Sequence, residues 1–330
     1  MAKHSKAHIL VAGGAGFIGS HMVKQLLKAG YTVTVLDNLS NGHRDAVGSA
    51  RFIEGEIGDL ALLDTLFNEV PIDAVMHFAG LIEVGLSVVN PALYYHNNVA
   101  QTLTLMEAMC RHDVKRLVFS STAAVYGTPD AGAIPETATC RPINPYGNTK
   151  HIIELALQDF DHAYGLKSVC LRYFNAAGAD PQGELGERHN PESHLLPLIL
   201  QVASGRREAI NVFGNDYATP DGTCIRDYVH VQDLVEAHEK ALEMLLKGGP
   251  SDVFNLGSGE GHSVMQVIEA VEAVTGQPIT VVQCERRSGD PDRLLADIRK
   301  AQGKLNWSPQ RSLEDMVKHA WQFEVQCLAH

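Results

Sequence analysis

The stretch His8-Ile-Leu-Val-Ala-Gly-Gly-Ala-Gly-Phe-Ile-Gly19 decides the fold. A short apolar run from His8 to Ala12 leads directly into spaced glycines and then into an amphipathic stretch through Ala29, the order strand, glycine turn, helix. Gly13 permits the tight turn, Gly16 lets the backbone approach a pyrophosphate, and Gly19 lets the helix pack onto the strand. The first turn of that helix offers unpaired N–H groups to an anion. Thr32-Val-Thr-Val-Leu-Asp37 then supplies a second strand ending in an acid, placed to accept hydrogen bonds from ribose hydroxyls and to repel a 2′-phosphate. Together these runs predict a unit that binds NAD. A structural turn followed by an unrelated surface acid would explain neither flank.

Outward from that unit, strand-like runs recur at Arg51 to Glu54, Asp73 to Phe78 and Lys115 to Ser120, separated by helical segments at Leu60 to Phe67 and Pro91 to Arg111. Such alternation predicts an α/β fold, a Rossmann-type doubly wound parallel sheet. Ligands of these sheets lie at the carboxyl ends of strands, which makes Glu56 and Ile57, then Phe78, Ala79 and Gly80, then Ser120-Ser-Thr122, candidate positions. The Thr122 hydroxyl has two readings: it bonds a substrate oxygen or relays a proton, or it caps a strand end.

Asn144-Pro-Tyr-Gly-Asn-Thr-Lys150 is the candidate for chemistry. With Pro145 in the first turn of a helix running to about Ala163, Tyr146 and Lys150 project from one face. A free phenol titrates near ~10 and a general base at neutral pH works nearer ~7, a gap of about 4 kcal/mol that an adjacent ammonium narrows. A solvated helix face is the alternative at this point.

After a strand at Leu166 to Tyr173, glycine and proline become frequent from Asp180 to Pro197 and the elements shorten. This predicts residues 1–175 as the NAD-binding domain, its sheet completed by later segments, and residues 176–330 mainly as a smaller α/β substrate lobe interleaved with it. Gly222 to Val231 and Glu285 to Asp290 place Arg226, Arg286 and Arg287 beside glycine turns. They read either as bidentate contacts to a phosphorylated ligand or as surface ion pairs. Ser312 to about Cys327 reads as a closing amphipathic helix.

The 39 acidic residues outnumber the 27 Lys and Arg, and the net charge of −12 argues against nucleic acid and against an anionic membrane surface. No apolar run approaches the ~20 residues of a membrane span, and the polar start suggests no signal peptide, so the expected location is the cytoplasm. The six cysteines and sixteen histidines are scattered without a Cys/His cluster of zinc type, so no metal is expected, and His77 reads as a packed residue.

Eight segments occur in a telling order: G-G-A-G-F-I-G at 13–19, L-D-N-L at 36–39, H-F-A-G at 77–80, S-S-T-A-A-V-Y-G at 120–127, P-Y-G-N-T-K at 145–150, R-Y-F-N-A-A-G at 172–178, F-G-N-D-Y at 213–217 and R-D-Y-V-H-V at 226–231. In these the chain resembles the UDP-glucose 4-epimerase family of the extended short-chain dehydrogenase/reductase group, over nearly its whole length. The glycine and Tyr/Lys motifs are common to the whole group. The set from Arg172 to Val231, with Arg286 to Asp290, is more particular to the epimerases.

The resemblance implies tightly bound NAD and reversible inversion at C4 of a UDP-hexose through a 4-keto sugar that pivots about its pyrophosphate. It implies Tyr146 as the base, its pKa lowered by Lys150 and the nicotinamide charge, with Thr122 as the partner hydroxyl. It implies a cofactor lined by Phe17, Ile18, Asp37, Asn38, Phe78, Ala79, Asn97 and Phe174. UDP would be held by Asn175, Leu195, Asn211, Phe213, Arg226, Arg287 and Asp290. Several positions depart from the family pattern: Thr122 stands for serine, Glu56 for an aspartate at adenine, Ile82 for a lysine near the cofactor phosphates, His194 for an asparagine near the substrate phosphate, and Leu294 for a tyrosine that narrows the sugar pocket. The smaller Leu294 implies room for an N-acetyl group, hence activity on UDP-N-acetylglucosamine. A homodimer packed through helices at Pro91 to Arg111 and Pro145 to Ala163 is also implied. Related dehydratases and decarboxylases usually carry an acid just after the Thr/Ser, where this chain has Ala123 and Ala124. A catalytically silent NAD-binding regulator is the remaining rival.

Overall fold

The computed structural model describes residues 6–129, 132–287 and 290–328; the polar start and Ser288-Gly289 lie outside these. Along the first half of the chain run β1 (Lys6–Ala12), α1 (Phe17–Ala29), β2 (Tyr31–Asp37), β3 (Arg51–Glu54), α2 (Leu60–Glu69), β4 (Ala74–His77), α3 (Val84–Val89), α4 (Pro91–Tyr94), α5 (Gln101–Arg111), β5 (Arg116–Thr122), β6 (Ala133–Ile134), α6 (Pro145–Tyr164) and β7 (Lys167–Tyr173). The second half holds β8 (Asn175–Ala177), α7 (Leu195–Ala203), β9 (Ile210–Phe213), β10 (Ile225–His230), α8 (Val231–Leu246), β11 (Asp252–Leu256), β12 (Gly261–Ser263), α9 (Val264–Thr275), β13 (Val281–Cys284), β14 (Arg293–Ala296), α10 (Arg299–Leu305) and α11 (Leu313–Leu328).

The chain divides into two compact units. The first comprises Met1–Gly127, Cys140–Arg172 and Val235–Phe254, the second Thr128–Thr139, Tyr173–Leu234 and Asn255–His330.

Seven strands form the main sheet in the order β11-β7-β5-β4-β1-β2-β3. β1 pairs in parallel with both β2 and β4, so the winding reverses at β1, the crevice where such sheets bind ligands. This is the Rossmann-type doubly wound arrangement. One core of this unit joins sheet residues Leu10, Val75, Leu117 and Phe119 to Leu105 and Met109 of α5 and Ile153 and Leu157 of α6. The helix residues recur every fourth position, and each buried side chain of this size contributes about 1.5–3 kcal/mol.

α6 starts and stops where its sequence directs. The Asn144 side chain accepts from Gly147 N at 2.8 Å, Pro145 occupies the first turn, and Gly165 closes the helix at φ 71°. The stretch expected as one helix from Pro91 to Arg111 instead passes through a π-helical turn at Tyr95–Ala100 between α4 and α5. Such turns recur at functional sites, and this one carries Asn97 and Asn98. β5 runs two residues beyond the expected Ser120 and so takes in Thr122.

The second unit is a smaller α/β lobe. β10 lies between antiparallel β12 and parallel β14, also pairs with β8, and β14 pairs with β6; β9 and β13 form a separate parallel pair. Ile199 and Leu200 of α7, Val267 and Val271 of α9, and Met316 and Val317 of α11 pack with Val212 and Tyr228 in its core. Asp227, fully buried, pins the loop after β11: its carboxylate accepts from Ser258 N and Oγ, Gly259 N and Ala296 N.

Candidate active site

At the reversal of the sheet, the turns after β1 and β4 touch. Phe78 N and Ala79 N both donate to Ala12 O, at 2.8 and 3.1 Å. A Cβ on Gly13 would come within 2.4 Å of Ala79 N, and one on Gly19 within 2.1 Å of Gly13 O, so both glycines are dictated by close approach. Gly16 is the N-cap of α1 and carries no side-chain cap, which leaves the first N–H groups of that helix open to an anion. Phe17 and Ile18 are partly buried in the same turn. These features fit a dinucleotide pyrophosphate.

Asp37 ends β2 beside this turn. Its carboxylate accepts from Ala15 N at 2.9 Å and Leu39 N at 2.8 Å, which orients it and leaves lone pairs for further donors. Burial pushes its pKa up, and those backbone bonds draw it back. Exposed Asn38 donates to exposed Glu56 at 2.9 Å, whereas Ile57 is absorbed into the core.

The face of α6 expected from spacing is formed. Lys150 is 4% exposed, and its ammonium donates to Ser120 O at 3.0 Å and lies 5.0 Å from the centre of the Phe119 ring. Burial lowers its pKa to about 8. Thr122, at the end of β5, is hydrogen-bonded to the Tyr146 phenol. The same Thr122 oxygen accepts from Ala124 N at 3.1 Å, so the residue caps the turn at Ala123–Tyr126 and its own O–H remains to donate. The capping reading of Thr122 is therefore met, and the same side chain also reaches Tyr146.

The expected lowering of the phenol pKa is not what the protein groups alone produce. Burial holds the Tyr146 phenol above its usual value, and the Thr122 hydrogen bond offsets this only in part. His77 is packed as expected: it is buried, bonds Thr102 at 2.8 Å, and burial with the Lys150 charge lowers its pKa to about 3.

One positioning residue escaped the sequence reading. Asn98, buried in the π-helical turn, exchanges bonds with Leu81 N and O at 2.8 and 3.0 Å, accepts from Asn97 at 2.9 Å and donates to Thr149 at 3.2 Å. Thr149 in turn donates to Tyr146 O at 2.7 Å. The segment after Gly80 is thereby tied to the first turn of α6. A polar pair inside an otherwise helical pattern was the available signal.

In the second unit, buried Arg226 meets Asp290 at 2.5 Å, the Tyr217 hydroxyl donates to the other Asp290 oxygen at 3.3 Å, and Arg287 lies 4.0 Å over the Phe213 ring. Leu294 stands opposite Arg226 in the β10 and β14 register. Asn211 shares β9 with Phe213, and exposed Asn175 opens β8. Partly buried Phe174 donates its N–H to Leu256 O at 3.1 Å. Arg286 divides from its neighbours: it stacks on Tyr217 and pairs with Asp292 at 2.8 Å, the surface ion-pair reading. His194 occupies the N-cap position of α7 just before Leu195 without a side-chain cap, and its Nδ1 is engaged by Glu187, which raises its pKa against the effect of burial.

Residues 9–257 match the NAD dependent epimerase/dehydratase family. The chain is 55% identical over 314 residues to the UDP-glucose 4-epimerase of Halalkalibacterium halodurans, covering 95% of this chain and 94% of that one. The crystal structure of UDP-glucose 4-epimerase from Brucella ovis in complex with NAD superposes with a TM-score of 0.94 at 46% identity, covering 96% of this chain and 98% of that one. That of the Bifidobacterium longum enzyme in complex with NAD+ and UDP gives 0.92 at 39% identity, covering 97% and 98%. With the glycine cradle, the Tyr146/Lys150 helix face and the Arg226 cluster in place, the chain belongs to the UDP-glucose 4-epimerase family.

Proposed function

We propose that this protein is an isomerase that interconverts UDP-glucose and UDP-galactose by reversible inversion at C4, with NAD as its cofactor. The observation that carries the reading is the hydrogen-bonded Thr122 and Tyr146 pair with buried Lys150, in a chain of this family. When bound, NAD takes up and returns the C4 hydrogen as hydride, and its nicotinamide charge favours the ionised phenol.

The remaining work falls to the chain's own residues. Tyr146 accepts the proton of the 4-hydroxyl and later gives it back, so it must be poised between its two states. Thr122 has one O–H to donate, to the phenol oxygen or to the sugar oxygen, and can pass a proton between them. Lys150, whose ammonium is directed at Ser120 O, is assigned the positive charge that favours the ionised phenol. Arg226, Arg287, Asn211, Phe213, Asn175, Leu195 and Asp290 are assigned to UDP, and Gly13, Gly16, Gly19, Asp37 and Asn97 to NAD. In this reading the first unit serves mainly the cofactor and the second the nucleotide sugar.

Purified protein given UDP-galactose without added cofactor should form UDP-glucose, and Tyr146→Phe should reduce kcat by about 10²–10⁴ with NAD still bound. No product from folded, NAD-loaded protein overturns the epimerase reading in favour of a silent regulator. The same assay with UDP-N-acetylglucosamine settles the sugar range; Leu294 beside Arg226 favours acceptance, and no turnover removes that extension.

A homodimer is the proposed assembly. Val88, Leu93 and Tyr95 from α3 through the π-helical turn, with Ile152 and Leu155 of α6, expose apolar side chains, and Val89 is 82% exposed. Sedimentation equilibrium should return twice the chain mass; a monomer at micromolar concentration overturns it. A cytoplasmic location is supported by cysteines that form no disulfide among the described residues. No helix of the described residues is long and apolar enough to cross a membrane.

A further inference from the structure

Glu187-Arg-His-Asn-Pro-Glu-Ser-His194 runs without regular secondary structure into α7, yet four of its side chains converge. One donor atom from each of Glu187, His189, Glu192 and His194 lies within 4.8 Å of all the others. Glu187 Oε1 is 3.0 Å from His189 Nδ1, Glu192 Oε1 is 3.8 Å from Nδ1 of both histidines, and Glu187 also contacts His194 directly. Both carboxylates are only 5% exposed.

Bonds of 2.0–2.2 Å to a tetrahedral zinc ion put ligand atoms roughly 3.3–3.6 Å apart, so these separations, all within 4.8 Å, need shifts of up to about 1 Å, which an irregular segment can make. We propose that Glu187, His189, Glu192 and His194 bind one divalent transition-metal ion of the zinc class, which fastens the segment leading into α7. Two imidazoles with two carboxylates suit zinc better than the all-oxygen shells of magnesium or calcium. The charges also balance, since two carboxylates neutralise a 2+ ion and the ion takes the place of imidazolium protons.

A second convergence, Cys140 with His151 and Glu154, does not qualify. Its carboxylate is already held by Arg172 on two sides and by Ser121, and a guanidinium against Glu154 repels a metal ion. The Glu187 to His194 site departs from the expectation of no metal, which rested on scattered cysteines and histidines and took no account of His/Glu spacing. The spacing E-x-H-x-x-E-x-H was legible, but spacing does not turn four side chains inward.

The site does not depend on the reaction catalysed. Holoenzyme loaded with zinc chloride and dialysed should retain one zinc per chain by plasma mass spectrometry, with a melting temperature several degrees above the chelator-treated form. His189→Gln should lose both effects while keeping its bound NAD. No retained zinc in the wild type, or equal retention in His189→Gln, overturns the site. Should the variant fail to fold, the cobalt(II)-loaded wild type still decides: tetrahedral visible bands without a thiolate charge-transfer band support these ligands, and a thiolate band or an octahedral spectrum refutes them.

Discussion

Two buried cations of the first unit, carried on the consecutive elements α6 and β7, meet opposite fates. Arg172, 6% exposed, has burial working against its charge, but Glu154 grips it through two nitrogens and Tyr126 accepts from a third, so its pKa stays well above the usual value. Lys150, one turn before Glu154 on α6, has a neutral carbonyl as its hydrogen-bond partner, and burial draws its pKa to about 8. The same helix thus gives its carboxylate to one cation as a direct ion pair, and reaches the other only through its charge, which opposes the effect of burial without cancelling it. Direct pairing makes a charge structural, and leaving it without a bonded carboxylate keeps it able to respond to a change of charge on Tyr146.

The widest test of this contrast is Lys150→Met. We expect kcat to fall by about 10²–10⁴ while the fold persists, because the change removes a buried charge that is hydrogen-bonded to a carbonyl and not to a carboxylate. Unfolding at that position, or retained turnover, breaks the contrast. In the wild type, kcat should decline as pH rises through about 8, where Lys150 loses its proton. Between about 8 and the ordinary value of 10.5 the unfolded chain still binds the proton that the folded chain has lost, so this residue makes stability rise with pH in that window. A smaller effect, on stability, is expected at the paired cation. Arg172→Met leaves Glu154 buried without its counter-ion and should cost about 3–5 kcal/mol in urea denaturation, much of it recovered by adding Glu154→Gln. A loss under about 1 kcal/mol would mean that pairing does not define the structural charge here.

Much of the site was legible because its parts are local. The four-residue interval between Tyr146 and Lys150 needs only one helix, and the glycines at 13, 16 and 19 need only one turn. Boundaries moved where a strand or helix end answers to neighbours: β5 extends to Thr122, and the Pro91 to Arg111 stretch takes a π-helical turn around Asn97 and Asn98. The three arginines show the limit of composition. Arg226 meets Asp290, Arg287 covers Phe213 and Arg286 goes to surface acids, a sorting set by strand register and loop path.

By itself the sequence determined the alternation of strands and helices, the glycine cradle, the acid ending β2 and the common face of Tyr146 and Lys150, since each follows from periodicity or from a conformation that only certain residues adopt. Tertiary structure alone decided that Thr122 reaches Tyr146, that Asn98 ties the loop after Gly80 to α6, that Glu154 bonds Arg172 and not Lys150, and that Glu187, His189, Glu192 and His194 converge. Those outcomes depend on how much water is excluded around each group and on which distant chain segment fills the space, and neither quantity is a property of local sequence.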